Sequence, residues 1–155
     1  QILYDRFLEA VSLTGKEFME RVRYFGKVWM PARVQVLEAF NKRLDHDPSG
    51  RIIVLPQSLP WIQHLFEIEQ EQQLQGHIFY VIFQDRAEWR VRAVPKSPES
   101  FELRNAICAE WRGLVTEELS QKSGVEGCIF VHSTGFIGGN STLEGALQMA
   151  KKCLQ

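Results

Sequence analysis

The sequence predicts an α+β fold, a small mixed or antiparallel sheet of about four to five strands packed by amphipathic helices. Three observations lead there. The first third of the chain repeats its apolar residues at helical spacing, the middle alternates at strand spacing, and the end reads strand, glycine-bearing segment, helix. At 155 residues, 45% of them hydrophobic and 24% charged, the chain has the length and composition of one globular domain.

Phe7, Val11, Phe18, Val22, Phe25 and Trp29 fall on one helical face, which predicts an inward stripe. Gly15 weakens the middle of that stretch and Pro31 ends or restarts it. Met30, Val34, Leu37 and Leu44 continue as a second stripe, widened by Val36 and Phe40. Residues 1–45 are thus expected as an antiparallel or bent helical pair, and 51–155 as the α+β core of a single domain.

Asp47-Pro48-Ser49-Gly50 is a turn by its residue chemistry. A strand over Arg51–Leu55 is stopped by Pro56. Ser58 is placed to cap a helix that turns Trp61, Leu65 and Ile68 inward, with Gly76 as its C-cap. His77–Phe83 is the most apolar strand, joined through Gln84–Ala87 to Glu88–Val94. There Trp89, Val91 and Ala93 alternate with Glu88, Arg90 and Arg92. Pro95–Arg104 reads as loop and Thr116–Ser123 as a short helix before Gly124. Gly127–His132 is apolar almost throughout, hence expected at the centre of the sheet. Ser141–Leu154 is the last helix, with Ser141 and Glu144 at capping-box spacing.

The formal net charge of −1 provides no global field for nucleic acid, so any such contact rests on local basic groups. Cys108, Cys128 and Cys153 form no CxxC pair, signalling neither a zinc site nor a disulfide framework. They read as reduced, with two or three buried as small apolar residues, in an intracellular protein. No apolar run approaches the ~18 residues of a membrane span. Helical spacing begins at once after Gln1, without an initiator Met, as expected of a piece of something longer.

The most informative segment is Cys128-Ile-Phe-Val-His-Ser-Thr-Gly-Phe-Ile-Gly-Gly-Asn-Ser-Thr-Leu-Glu-Gly-Ala146. Gly138-Gly139 ahead of a helix start leaves backbone N–H groups open to a ligand, and the helix end adds partial positive charge. Such a loop suits a phosphate or carboxylate, with His132, Ser133, Thr134, Asn140, Ser141 and Thr142 as lining donors. The plainer reading is a glycine turn that brings a strand into a helix. Neither the P-loop nor the dinucleotide pattern is met. Arg90 and Arg92 share a strand face, followed by Lys96; such a stripe either tracks phosphates or is a solvated surface. Trp111 and Arg112 either meet a base or serve as core and ion pair.

Gly127 to Asn140 followed by Glu144-Gly145-Ala146 resembles the carboxy-terminal signature of the melanocyte-proliferating-gene exonuclease family, a branch of the DHH-type phosphoesterases. Trp29-Met-Pro-Ala-Arg33, Trp89-Arg-Val-Arg-Ala-Val-Pro-Lys96 and Trp111-Arg-Gly-Leu114 agree in order and spacing. The resemblance implies a DHH-associated carboxy-terminal domain, working with the protein's own amino-terminal domain, which would hold a pair of manganese-like divalent ions. No metal ligand is expected in this chain, and no catalytic residue. It implies a metal-dependent hydrolase, a 3′-to-5′ RNA exonuclease of mitochondrion or nucleus, with RNA or a nucleotide as partner. Gly138, Gly139 and Asn140 would face the nucleotide, with His132 and Ser133 adjoining and Arg92, Lys96 and Arg112 in support. Asn140 stands where the wider superfamily has His, and Asn carries no charge near neutral pH. A non-catalytic binding or dimerisation module with a structural glycine segment is the alternative; a homodimer fits either reading.

Overall fold

The computed structural model describes residues 2–154. Its fold is α+β, with five strands in the order β1-β2-β3-β5-β4. Only β1 (Ile52–Leu55) and β2 (Tyr80–Asp85) run parallel. β3 (Glu88–Ala93), β4 (Cys128–Val131) and β5 (Ile137–Asn140) join antiparallel.

The chain begins with α1 (Ile2–Tyr24), a π-helical turn (Phe25–Trp29) and α2 (Met30–Asn41). Tyr24 (φ −59°, ψ −51°) and Trp29 (φ −71°, ψ −51°) keep helical dihedrals at both joints, so these segments run on end to end and the antiparallel pair is excluded. Met30 N–H donates to Phe25 O, five residues back. The ladder therefore changes register just before Pro31, which lacks the N–H that an α-turn needs there. Gly15 lies inside α1 without breaking it.

The inward stripe expected along α1 is corrected: no residue of α1 is buried. Of α1 and α2 it is α2 that meets the sheet, through Ala32, Val36, Ala39 and Phe40, while Met30 and Val34 stay exposed. Beyond it α3 (Arg43–His46) leads to the Asp47–Gly50 turn, where Gly50 takes φ +64°.

α4 (Ile62–Glu71) starts after Trp61, not at a Ser58 cap; Ser58 N–H instead donates to Gln84 O. It ends before Gln73 (φ +57°), short of Gly76. The β2–β3 hairpin is tighter than expected, since Asp85 pairs with Glu88 across only Arg86 and Ala87.

α5 (Thr116–Ser123) ends on Gly124 at φ +65°, and α6 (Leu143–Lys152) is capped by Thr142, whose hydroxyl accepts from Gly145 N–H. The N-cap is therefore Thr142, one residue after the expected Ser141, and with Gly145 at the third helical position no capping box forms. β4 is an edge strand, not a central one. Its apolar run is explained by α5 and α6 on its inner face and by segment 113–115 along its outer edge. There Val131 N–H donates to Leu114 O, Gly113 N–H donates to Val131 O, and Val115 bridges Phe130.

One sheet face packs Ile52, Tyr80, Ile82, Val91 and Ala93 against α5, α6 and the Ile107–Trp111 segment. The other face is covered by α2 and α4 only over β1 and β2, through Ile53, Leu55 and Val81 with Val36, Phe40, Leu65 and Ile68. Arg90 and Arg92 share that second face with Ile137 and Gly139, their partners across the strand pair, so this half of the sheet carries no helix. The cysteines are corrected too: Cys108 and Cys153 are disulfide-bonded across a Cα–Cα distance of 5.3 Å, and only Cys128 is free and buried.

Candidate nucleotide-binding cleft

The bare half of the sheet ends in a cleft of about 530 Å³. Its floor is Arg92 and Ala93 of β3, one wall is the turn with His132, Thr134 and Phe136, and the rim is Pro98, Glu99, Ser100 and Phe101. Ile62, at the start of α4, closes the remaining side.

Arg92 is half-buried, with its guanidinium 4.7 Å from the centre of the Phe136 ring. Burial lowers its pKa and no acid offsets that, but a guanidinium remains a cation at neutral pH. Among the described residues no ion pair engages it. Arg90, two residues back on the same face, differs: Glu88 takes its Nη1 at 2.7 Å and Asp85 its Nε at 3.6 Å. Arg92 is thus a cation with an aromatic platform and no counter-charge, the local condition for taking an anion.

His132 meets Phe136 edge-on at 4.7 Å. Its Nδ1 lies 3.0 Å from Thr134 Oγ1 and accepts the Thr134 backbone N–H at 3.2 Å. With Nδ1 holding that acceptor role, Nε2 carries the ring proton of the neutral form and is the edge free for a ligand. Phe101 stands fully exposed at the tip of the loop. The loop is pinned at its base by a Pro95–Leu103 bridge and by Lys96 N–H donating to Glu102 O.

The candidate residues separate into two groups. Arg92 and His132 come together in the cleft, with Ser133 exposed on the same turn. Lys96 does not line it: its Nζ sits 2.8 Å from Glu102, which lowers that carboxyl's pKa through hydrogen bond and charge. Arg112 lies behind the turn, donating from Nε to Ile107 O at 2.9 Å. A Cβ at Gly135 (φ +72°) would stand 2.6 Å from that Nε, so Arg112 is packed under the turn's glycine.

The glycine loop is corrected: Gly138, Gly139 and Asn140 form β5 and are buried. Gly138 is flanked by Val131 and Ile107, and Gly139 lies under Arg90 and the Phe130 ring. Asn140 donates from Nδ2 to Glu126 O at 2.8 Å, and its Oδ1 accepts from Thr142 N–H at 3.0 Å and Thr142 Oγ1 at 3.2 Å. Ser141 N–H donates to Gly127 O. The backbone from Gly138 to Thr142 is therefore committed to the sheet and the α6 cap. Trp111 is core, buried against the same cluster as Leu119 and Met149.

Phe101 and Phe136 escaped the sequence reading. The available signal was a lone aromatic in each of two polar, turn-rich stretches, where no helical or strand period asks for one.

Among the described residues no three His, Cys, Asp or Glu side chains converge as a metal set. No described helix is long and apolar enough to cross a membrane.

Residues 1–154 match the MYG1 exonuclease family model, described as an uncharacterised protein family (UPF0160). The chain is 46% identical to the MYG1 protein of Dictyostelium discoideum over 155 residues, covering 99% of this chain and 47% of that protein. It is 47% identical to the MYG1 exonuclease of Bos taurus over 150 residues, 96% of this chain and 39% of that protein. Against the MYG1 exonuclease of Homo sapiens it is 45% identical over 150 residues, 96% of this chain and 40% of that protein. It therefore spans less than half the length of these relatives. No solved structure matches the chain significantly. With nearly every residue covered by the match, the chain belongs to the MYG1 exonuclease family.

Proposed function

We propose that this domain is the substrate-holding part of a metal-dependent phosphodiesterase of exonuclease type, and that its cleft receives a terminal nucleotide of RNA. The observation that carries this reading is Arg92, a half-buried cation without a counter-charge, lying over Phe136 beside His132. An anionic, flat ligand satisfies all three: phosphate on Arg92 and on the Nε2–H of His132, base against Phe101. Base–aromatic stacking is worth ~1–3 kcal/mol per base, which gives a fully exposed Phe101 a use. The relatives named MYG1 exonuclease support hydrolysis as the chemistry. RNA as substrate and a 3′-to-5′ direction rest on the resemblance alone.

This chain's part is orientation, fixing the terminal nucleotide so that its phosphodiester presents one face to the attacking group. Its residues do not fit a divalent metal site, lacking any convergent ligand set among those described. In this reading the ions belong to the amino-terminal domain that the resemblance implies. Gly139 contributes by lacking a side chain, which lets Phe130 and Arg90 lie flat beside the cleft floor.

The test is a titration of the chain with adenosine 5′-monophosphate and with adenosine, wild type against Arg92→Gln and Phe101→Ala. Arg92→Gln should weaken the monophosphate at least tenfold and leave adenosine unchanged, while Phe101→Ala should weaken both. Equal monophosphate affinity in wild type and Arg92→Gln overturns the proposal.

A further inference from the structure

The apolar face of α1 is the largest feature left without a role. Tyr4, Leu8, Val11, Phe18, Val22 and Phe25 are all 45% or more exposed, on a helix that buries nothing. Their order is stricter than general amphipathicity. Tyr4, Val11, Phe18 and Phe25 recur every seven residues, and Leu8, Gly15, Val22 and Trp29 interleave with them at alternating steps of four and three. From Tyr4 to Phe25 this is an a/d heptad seam, with Tyr4 as the first d position and Leu8 as the first a position. Trp29 lies across the π-helical turn and packs on the His64 ring at 4.1 Å.

We infer that α1 pairs with α1 of a second copy of this chain, as an antiparallel two-stranded coiled coil. In antiparallel coils an a residue of one helix meets a d residue of the other. Turned end for end about the midpoint between Gly15 and Phe18, the seam sets Leu8 on the partner's Phe25 and Val22 on the partner's Val11, and brings the partner's Tyr4 to the π-helical turn at Phe25–Trp29. Gly15, the one gap in the apolar seam, then falls opposite the partner's Phe18, so the smallest and one of the largest side chains share a layer. A parallel pair would stack Gly15 on Gly15 and Phe18 on Phe18, a void beside an overfilled layer.

Charge points the same way. Asp5, Arg6 and Glu9 give the first part of the helix net −1, whereas Lys16, Glu17, Glu20, Arg21, Arg23 and Lys27 give the second net +2. Antiparallel pairing lays one on the other; parallel pairing lays like on like.

The far end of the seam has a matching receptor. A cavity of about 440 Å³ opens beside Trp29, lined also by Tyr24, Leu59, Pro60 and Trp61. The register delivers the partner's first turn, with Ile2, Leu3 and Tyr4, to that place. Scaling the ~150–250 Å² of a full aromatic side chain by these exposures, the seam covers roughly 600 Å² on each copy. The total clears the ~1,000 Å² expected of a specific interface. Ile62, Pro98 and Glu99 line both this cavity and the nucleotide cleft, so the partner's first turn would border the cleft.

Sedimentation equilibrium of the 155-residue chain should give a dimer at micromolar concentration. Gly15→Phe should weaken it at least tenfold, and the exchanged variant Gly15→Phe with Phe18→Gly should restore it. Since α1 buries nothing, circular dichroism and melting of the α+β body should not change in either variant. Chains carrying Val11→Cys, mixed with chains carrying Val22→Cys, should form a disulfide-linked pair on mild oxidation, while neither does so alone. A monomer at every concentration, or Val11→Cys chains that cross-link to themselves, overturns the inference. Cross-links that run in the longer protein from α1 to a segment outside this chain overturn it as well.

Discussion

Arg104 closes on Glu69 with two prongs, Nη1 to Oε1 at 2.7 Å and Nη2 to Oε2 at 2.8 Å, with the two side chains 7% and 1% exposed. Glu69 also accepts the backbone N–H of Ile78 at 2.9 Å, and Arg104 Nη1 donates to Ile78 O at 2.9 Å. The pair ties the end of α4 to the entry of β2 and to the exit of the cleft loop. Removing one partner strands the other charge in the interior, which costs ~3–5 kcal/mol. Arg104→Met should lower stability by about that amount in urea unfolding. Arg104→Met combined with Glu69→Leu should cost less than Arg104→Met alone, and a double variant no better than the single one would refute the pairing argument.

Asn140 and Gly145 form a second dependency. The Asn140 carboxamide occupies the space that a Cβ on Gly145 would need, while its oxygen holds Thr142 and its amide holds Glu126 O. Asn140→Ala leaves buried backbone groups without partners, at ~1–3 kcal/mol. Thr142→Ala removes the α6 cap and the hydroxyl's bond to Asn140 Oδ1 but keeps the backbone N–H bonded there, at ~1 kcal/mol. Thermal melts should rank the variants in that order. Gly145→Ala should destabilise as well, despite alanine's better helix propensity.

The Cys108–Cys153 bond closes a span of 45 residues, for which loop closure predicts ~4 kcal/mol of stabilisation. Dithiothreitol, or Cys108→Ser, should therefore lower the melting temperature markedly. Because Ile107 N–H donates to Gly135 O beside the bond, amide hydrogen exchange in the His132–Phe136 turn should quicken too. An unchanged melting temperature on reduction would show that the bond is not formed in solution.

His46 supplies a pH dependence. Burial lowers its pKa first and foremost, against Asp45, which raises it, with Lys151 and Lys42 adding to the lowering. A histidine whose folded pKa lies below its unfolded value of 6.5 is bound more weakly by protons in the folded state, so stability rises with pH through that window. Its contribution is complete above pH 6.5 and is lost as pH falls toward the folded pKa. His46→Gln should flatten unfolding curves collected across that range, and an identical slope in the variant would refute the assignment.

Much of the fold was legible because period and turn chemistry agree locally. Thr116–Ser123 ends at Gly124 as its composition requires, and the alternation of Glu88–Ala93 sorts Val91 from Arg90 and Arg92 as read. The failures have physical causes. α1 shows helical period, but period reports an apolar face without saying what covers it. Gly138-Gly139 resembles a loop because β-propensity measures side-chain packing, and here the neighbours Phe130, Arg90 and Val131 fill the space instead. The pairing of Cys108 with Cys153 is a long-range closure that spacing cannot show. In the cleft, Arg92 and His132 were readable as donors; that Arg90 is ion-paired and Arg92 is not follows only from where Glu88 and Asp85 turn.

The strip at 113–115 along β4 has a consequence for how the molecule behaves in crowded solution. An edge strand normally offers a row of free donors and acceptors to any passing chain. Here Leu114 O, Gly113 N–H and the Val115–Phe130 bridge have taken up that row, so β4 offers amyloid-like growth no free template on this side. Two glycines in the adjoining strand, which would otherwise soften this end against slippage, are thereby held in register from both sides.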